Sequence, residues 1–279
     1  DKRNDTKAQI LHAYSSKIKE IREILMPFTH SPPPSANPLT LANQHYQQAT
    51  LAQQAGNFPK AIEMLYQAIQ IAPQQVLYYN ELATILGQLG HNNEAITLYQ
   101  QSLKITPNNP ALLNNLGNLF KNTGRLKKSI LCYRKAVKAA PENTTLQWNL
   151  ALSLIMSGKL KEGWELYEVG LSNPNQRPAK QFPYPTWKGY PLKEKSILVY
   201  AEQGIGDEIM FSSCLTDLLK KSPKQCIVEC DSRLVPLFSR SFPEVIFCGK
   251  KQSDNETWLS EYPHIDCQVA IGSLPLHSR

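Results

Sequence analysis

The sequence predicts a mainly α chain: an α-solenoid of helix-turn-helix repeats followed by a partial α/β domain. Two observations predict it. The first is a 34-residue period, in which glycine recurs at Gly56, Gly90, Gly124 and Gly158 and proline at Pro73, Pro107 and Pro141. The second is a change of pattern after residue 195, where short apolar runs begin to alternate with helical ones.

The period extends to side-chain size. Small residues recur at Ala49, Ala83, Gly117 and Ala151, at Ala61, Ala95, Ser129 and Gly163, and at Ala68, Ser102, Ala136 and Gly170. A large residue keeps the same step at Leu65, Tyr99, Tyr133 and Tyr167. Small positions let paired helices approach, and large ones fill the groove between neighbouring pairs. Glycine ends the first helix of each pair and proline stops the second.

Taken in order, residues 1–29 read as one amphipathic helix, with Leu11, Tyr14, Ile18, Ile21 and Leu25 forming an apolar seam. Residues 30–40 form a Pro-rich spacer that cannot be helical over Ser31–Pro38. Four helical pairs fill 41–171, with first helices near 42–54, 75–88, 109–122 and 143–156. The second helices fall near 58–71, 92–105, 126–139 and 160–171. Gly163 and Gly170 break the small-residue pattern of the fourth pair, so that pair is expected to fray or to dock against the C-terminal part of the chain. Residues 172–195, rich in proline, read as an extended linker.

The partial α/β domain spans 196–279. Ser196–Tyr200 reads as a buried strand, Gly204–Asp207 as a tight turn and Asp207–Lys221 as one helix. Cys226–Cys230 is a second strand, followed by a helix near 232–241. Val245–Cys248 and Cys267–Ile271 are two more strands. This order implies a parallel, Rossmann-like sheet.

Composition narrows the function classes. The 279 residues carry a net charge of +7. Lys121, Arg125, Lys127, Lys128, Arg134, Lys135 and Lys138 equal that excess by themselves. The charge is therefore local. It reads as a solvated helix face or as a patch for an acidic protein segment or an anionic lipid headgroup, and nucleic acid is not the expected partner. No apolar run is long enough for a membrane span. The six cysteines lie mostly in apolar runs without a Cys-x-x-Cys pair, as in a reducing cytoplasm. No metal site and no cofactor are expected.

The repeats at 41–171 resemble tetratricopeptide repeats. The resemblance implies a protein- or peptide-binding groove lined by the first helix of each pair. Asn80 and Asn114 keep the repeat step, as do Asn115 and Asn149, and Asn118 lies one turn beyond Asn114. An asparagine amide both donates and accepts, so such a ladder can hold an extended backbone with little regard for its sequence. Tyr46, Thr84 and Lys121 are expected on the same face. A second reading takes the asparagines as ordinary polar residues of an exposed face.

The segment from Trp187-Lys188-Gly189-Tyr190-Pro191-Leu192 to Glu202-Gln203-Gly204-Ile205-Gly206-Asp207 resembles bacterial proteins in which repeats are fused to a heptosyltransferase-like domain. Repeats joined to a two-lobed (GT-B type) glycosyltransferase are similar to the O-GlcNAc transferases. The loop is no dinucleotide fingerprint, because the third glycine is absent. The resemblance implies that Gln203, Gly204 and Gly206 form a binding loop and that Asp207 acts as general base on an acceptor hydroxyl. Read as a residue alone, Asp207 could equally be a helix N-cap. Glu202 reads as a solvated loop residue, and Trp187 as an anchor of the linker.

The expected function is binding of a protein or peptide in the repeats and, in the complete protein, its presentation to a glycosyltransferase-like domain. The alternative is a non-catalytic scaffold whose α/β part is a degenerate docking domain. The chain ends after the fourth strand without a donor-binding lobe. It is thus expected to be truncated and inactive alone, with a nucleotide sugar a ligand only of the complete protein.

Overall fold

The structure, a computed structural model, describes residues 37–250 and 256–278. The expected helix at 1–29 and the spacer up to residue 36 lie outside the described residues. The chain divides into two compact units, 1–125 and 126–279. The division falls in the turn of the third helical pair, so the later repeats belong with the α/β part.

Unit 1 contains α1 (Pro38–Gln54), α2 (Phe58–Ile71), α3 (Val76–Gln88), α4 (Asn92–Ile105) and α5 (Pro110–Asn122). Helix α1 starts inside the expected spacer. Asn37 Oδ1 accepts from Leu39 N (3.1 Å) and Pro38 occupies the first turn. A proline there loses no helical hydrogen bond. Asn57 and Asn109 cap α2 and α5 in the same way.

The periodic glycines have a backbone reason. Gly56, Gly90 and Gly124 have φ of 71°, 86° and 72°, and Gly158 in unit 2 has 80°. The residue after each donates back across the helix end, as His91 N does to Leu86 O (2.9 Å) and Arg125 N to Phe120 O (2.8 Å). A Cβ added at any of the four would meet nothing within 4 Å. The requirement is therefore left-handed backbone rather than space. The small positions Ala49, Ala83, Ala61, Ala95, Ala68 and Ser102 are all buried, as are Leu65 and Tyr99.

Unit 2 begins with α6 (Leu126–Ala139), α7 (Thr144–Met156) and α8 (Leu160–Tyr167), which passes into a 3-10 turn at Glu168–Ser172. A parallel sheet comes next, in the order β3-β2-β1-β4. Its strands are β1 (Ser196–Tyr200), β2 (Gln225–Cys230), β3 (Ile246–Gly249) and β4 (Cys267–Ala270). Helices α9 (Ile205–Ser212), α10 (Leu215–Leu219), α11 (Val235–Ser241) and α12 (Leu274–Ser278) complete the unit. The single helix expected over 207–221 is two helices. Ser212 and Ser213 donate their hydroxyls back to Ile209 O and Met210 O, which competes with the helical ladder where the break occurs.

Strand β1 is buried on both faces, as parallel strands are. Ile197 and Val199 pack with Trp187, Phe211, Leu215, Val228 and Val269. Leu198 and Tyr200 pack with Phe182, Ile227 and Ile265 on the other side. The linker closes the outer edge of β4. Trp187 N donates to Gln268 O (2.7 Å), and Gln268 N donates to Pro185 O (2.9 Å). This pairing covers an edge that would otherwise expose free backbone groups. Trp187 is fully buried, with Nε1 donating to Tyr190 O (2.8 Å). Cys214, Cys226, Cys230 and Cys267 are buried and unpaired, and burial pushes the Cys226 thiol up to about 12.

The fourth helical pair docks rather than frays. Trp148 stacks on Tyr167 at 4.5 Å between ring centroids, and Trp164 meets Phe211 of α9 edge-on at 6.1 Å. The two glycines that break the repeat pattern create this fit. A Cβ on Gly163 would lie 2.7 Å from Ile155 Cγ1. One on Gly170 would lie 2.8 Å from Trp148 Cε3 and 2.9 Å from Arg177 Cδ. Gly170→Ala is expected to destabilise unit 2 by about 1–3 kcal/mol, the usual cost of overpacking. Urea unfolding followed by tryptophan fluorescence reads this unit alone, because Trp148, Trp164, Trp187 and Trp258 all lie in it. An unchanged midpoint would remove the docking role assigned to Gly170.

Candidate functional site

Two sites emerge, one in each unit. In unit 1 a groove of about 430 Å³ runs along α3 and α5. Thr84, Gln88, Asn92, Asn115, Asn118 and Asn122 supply its polar groups, around Ala83, Gly87 and Leu119. Periodicity positions them: Thr84 and Asn118 are one repeat apart, as are Gln88 and Asn122. Asn115 Nδ2 donates to Asn80 Oδ1 (2.9 Å), which ties neighbouring repeats together. The Thr84 hydroxyl donates to Asn80 O (2.8 Å) and lies 2.8 Å from the Tyr99 hydroxyl.

The structure places Thr84, Asn115 and Asn118 together in this groove. Asn80 and Asn114 adjoin it through Asn115, with Asn114 Nδ2 donating to Asn115 Oδ1 (3.4 Å). Tyr46 is not among the lining residues; it packs on Tyr78 at 5.5 Å between ring centroids. Lys121 is half-buried at the C-terminal end of α5, and burial lowers its ammonium pKa. Asn149 is half-buried on α7 in unit 2. Gln88, Asn92 and Asn122 escape the sequence reading, although the 34-residue step of Gln88 and Asn122 was a signal for two of them.

In unit 2 the loops after β1 and β4 meet at the carboxyl end of the sheet. The strand order reverses between these strands, the place where open α/β sheets form a crevice. Here the protein fills that crevice itself. Arg177, from the linker, is fully buried. Its Nε donates to Glu202 Oε1 (3.0 Å), Nη1 to Glu168 Oε1 (2.9 Å) and Nη2 to Ser273 Oγ (2.8 Å). The guanidinium also lies 4.7 Å from the centre of the Tyr167 ring. Burial opposes its charge, but the Glu202 and Glu168 carboxylates outweigh that and hold its pKa above the usual range. Gly272 must be glycine here, since a Cβ would lie 2.6 Å from Glu202 Oε1.

Glu202 is therefore not the solvated loop residue expected from sequence. Its side chain is fully buried, and its Oε2 has no hydrogen-bond partner. Sequence offered little warning, because Arg177 stands alone in a proline-flanked stretch that reads as linker.

The binding loop borders this cluster. Tyr167 donates its hydroxyl to Gln203 Oε1 (3.1 Å), and Gln203 Nε2 donates to Glu202 Oε1 (3.2 Å). Gly204 is the N-cap of α9, with Gly206 exposed in the first turn. Asp207 is thus the third helical residue and not the cap. Its carboxylate is half-exposed above Gly204, and among the described residues it accepts no hydrogen bond. Glu208, beside it, is buried and committed: it accepts from Lys250 Nζ (2.7 Å) and Asp231 N (2.7 Å). The basic cluster of α6 places Lys127, Lys128, Arg134, Lys135 and Lys138 at the surface, with Arg134 paired to Glu162 (2.6 Å). Among the described residues no group of histidine, cysteine and carboxylate side chains could hold a metal, and no helix is long and apolar enough to cross a membrane.

Comparison with known proteins matches the TPR repeat family over residues 85–124 and the tetratricopeptide repeat family over residues 110–143. The FlbA protein of Caulobacter vibrioides is 38% identical over 87 residues, which are 30% of this chain and 15% of FlbA. A mutant of the Thermobaculum terrenum O-GlcNAc transferase superposes with a TM-score of 0.46 and 16% identity, over 87% of this chain and 49% of that one. MamA from Desulfovibrio magneticus superposes with a TM-score of 0.44 and 18% identity, over 47% of this chain and 74% of that one. The chain thus spans a small part of the sequence relative and about half of the transferase. Family match and helix geometry agree that it carries tetratricopeptide repeats.

Proposed function

We propose that the repeats bind an extended segment of a partner protein in the groove along α3 and α5, and that in the complete protein they present it to a glycosyltransferase-like domain. The supporting observation is the lining of that groove. Six hydroxyl- or amide-bearing side chains surround a strip of small residues, and no charged side chain lines it. Such a surface pairs with peptide N–H and C=O groups and leaves sequence largely unread. The half-exposed Asp207 carboxylate, at the start of the helix after β1, supports the second half of the proposal.

The test is the binding of short extended peptides of varied sequence to the full chain by fluorescence anisotropy. Replacing Asn118 and Asn122 together by alanine is expected to weaken the bound peptides about tenfold, and by similar factors whatever their sequence. Affinities unmoved by the double substitution would place the peptide elsewhere.

A second reading, the non-catalytic scaffold, draws on a different observation. Arg177 occupies the crevice at the carboxyl ends of β1 and β4, where a catalytic α/β domain usually admits its ligand. Under this reading the α/β part is a docking domain clamped to the last repeat. A substitution at Asp207, argued in the Discussion, separates the two.

A further inference from the structure

A second pocket in unit 1, on another face of α3, has no role in the function proposed above. Tyr79 and Leu82 of α3 form its floor with Ile69 of α2 and Leu98 and Ile105 of α4. Its volume is about 300 Å³, and its surface is mostly apolar. Polar groups stand at three points of the wall. The Tyr66 hydroxyl is buried and makes no hydrogen bond; Gln70 approaches it without closing one. Gln101 Oε1 is buried and likewise unpartnered. Lys104, one turn on from Gln101, is exposed, and among the described residues its ammonium pairs with no carboxylate.

Buried polar atoms are nearly always satisfied, and leaving one bare costs free energy. Two bare atoms in the wall of one apolar pocket are therefore a request for a ligand with matching groups. Gln101 Oε1 needs a donor. Tyr66 can donate to an acceptor, and Lys104 favours an anion. The floor needs a bulky apolar group.

We propose that this pocket binds an N-acylated amino acid with a large apolar side chain and a free carboxylate. The side chain would fill the floor, the amide N–H would donate to Gln101 Oε1, and the carboxylate would meet the Tyr66 hydroxyl and the Lys104 ammonium. Two sources carry this chemistry: the C-terminal residue of a polypeptide and a free acylated amino acid.

The experiment titrates the full chain with N-acetylphenylalanine, with its carboxamide and with a short peptide ending in phenylalanine, followed by NMR shifts of residues around 66–105. The free acid is expected to bind about tenfold more tightly than the amide, the usual value of a charge-assisted contact. Lys104→Met is expected to abolish that acid-to-amide ratio, because the exposed side chain acts only on the carboxylate. Tyr66→Phe should reduce the ratio and keep the fold. Tighter binding of the peptide than of the acetylated amino acid assigns the pocket to a polypeptide terminus, and equal binding assigns it to the small molecule. Both support the pocket. Equal binding of acid and amide in the unsubstituted chain, an acid-to-amide ratio that survives Lys104→Met, or no shift at these residues overturns the proposal.

Discussion

Replacing Arg177 by leucine is expected to lower the unfolding free energy of residues 126–279 by about 3–5 kcal/mol, read by tryptophan fluorescence in urea. The size reflects the groups that the substitution strands. Glu202 would keep a fully buried carboxylate with its cationic partner gone, and Oε2 already has no hydrogen bond. Glu168, whose side chain is 31% exposed, would lose its partner at less cost because water reaches it. The decisive comparison is the double substitution Arg177→Leu with Glu202→Gln. Removing the stranded charge should recover at least about 1 kcal/mol of the loss, since the penalty lies in the unpaired ion more than in the missing bonds. A single-substitution loss below about 1 kcal/mol, or a double substitution no better than the single one, would mean that the guanidinium is not what holds this crevice closed.

The contrast between Arg177 and the periodic glycines explains what could be read in advance. Gly56, Gly90 and Gly124 report their structure in the sequence, because each solves a local problem, a left-handed residue at a helix end. The cause and the signal sit within five residues. Repetition then multiplies the signal, and the helix bounds of the repeats match to within a residue or two, apart from the N-terminal start of α1 and the C-terminal end of α8. Helix α8 stops early because its neighbours require it to: Trp148 and the stem of Arg177 occupy the space where a fourth-repeat alanine would stand. That is a tertiary cause, and sequence shows only its shadow, a glycine out of pattern.

The same distinction divides the candidate sites. The asparagine groove was partly legible, because Thr84, Asn115 and Asn118 repeat with the helices that carry them. The crevice of unit 2 was not. Its members come from a 3-10 turn (Glu168), a linker (Arg177) and loops after two strands (Glu202, Ser273), brought together by hydrogen bonds spanning up to 105 residues. Nothing in the neighbourhood of Arg177 distinguishes a buried arginine from a solvated one. Reading Glu202 as solvated was the consequence, since a lone loop carboxylate is ordinarily exposed and its partner was out of sight. The break between α9 and α10 was missed for a smaller reason: two adjacent serines compete for helical carbonyls, a local effect that apolar periodicity does not register.

In the complete protein, Asp207→Asn is expected to lower the rate of sugar transfer by about 10²- to 10⁴-fold, the range that a general base contributes. The geometry makes this substitution unusually clean. Asp207 is not the N-cap of α9, a position that belongs to Gly204, and its carboxylate accepts no hydrogen bond among the described residues. Asparagine therefore breaks no observed contact. It removes a negative charge near the positive end of a helix, worth about 0.3–1 kcal/mol at an exposed site. Stability and turnover should consequently separate: a shift of at most about 1 kcal/mol in unfolding, beside a loss of activity several times larger in free-energy terms. Substitution of the neighbouring Glu208 by glutamine supplies the opposite pattern. That carboxylate is buried against Lys250 and the Asp231 amide, so stability should fall as turnover falls. Should Asp207→Asn leave transfer unchanged, the carboxylate is electrostatic support for α9 alone, and the scaffold reading, with Arg177 as the permanent occupant of the crevice, becomes the better account of the α/β part.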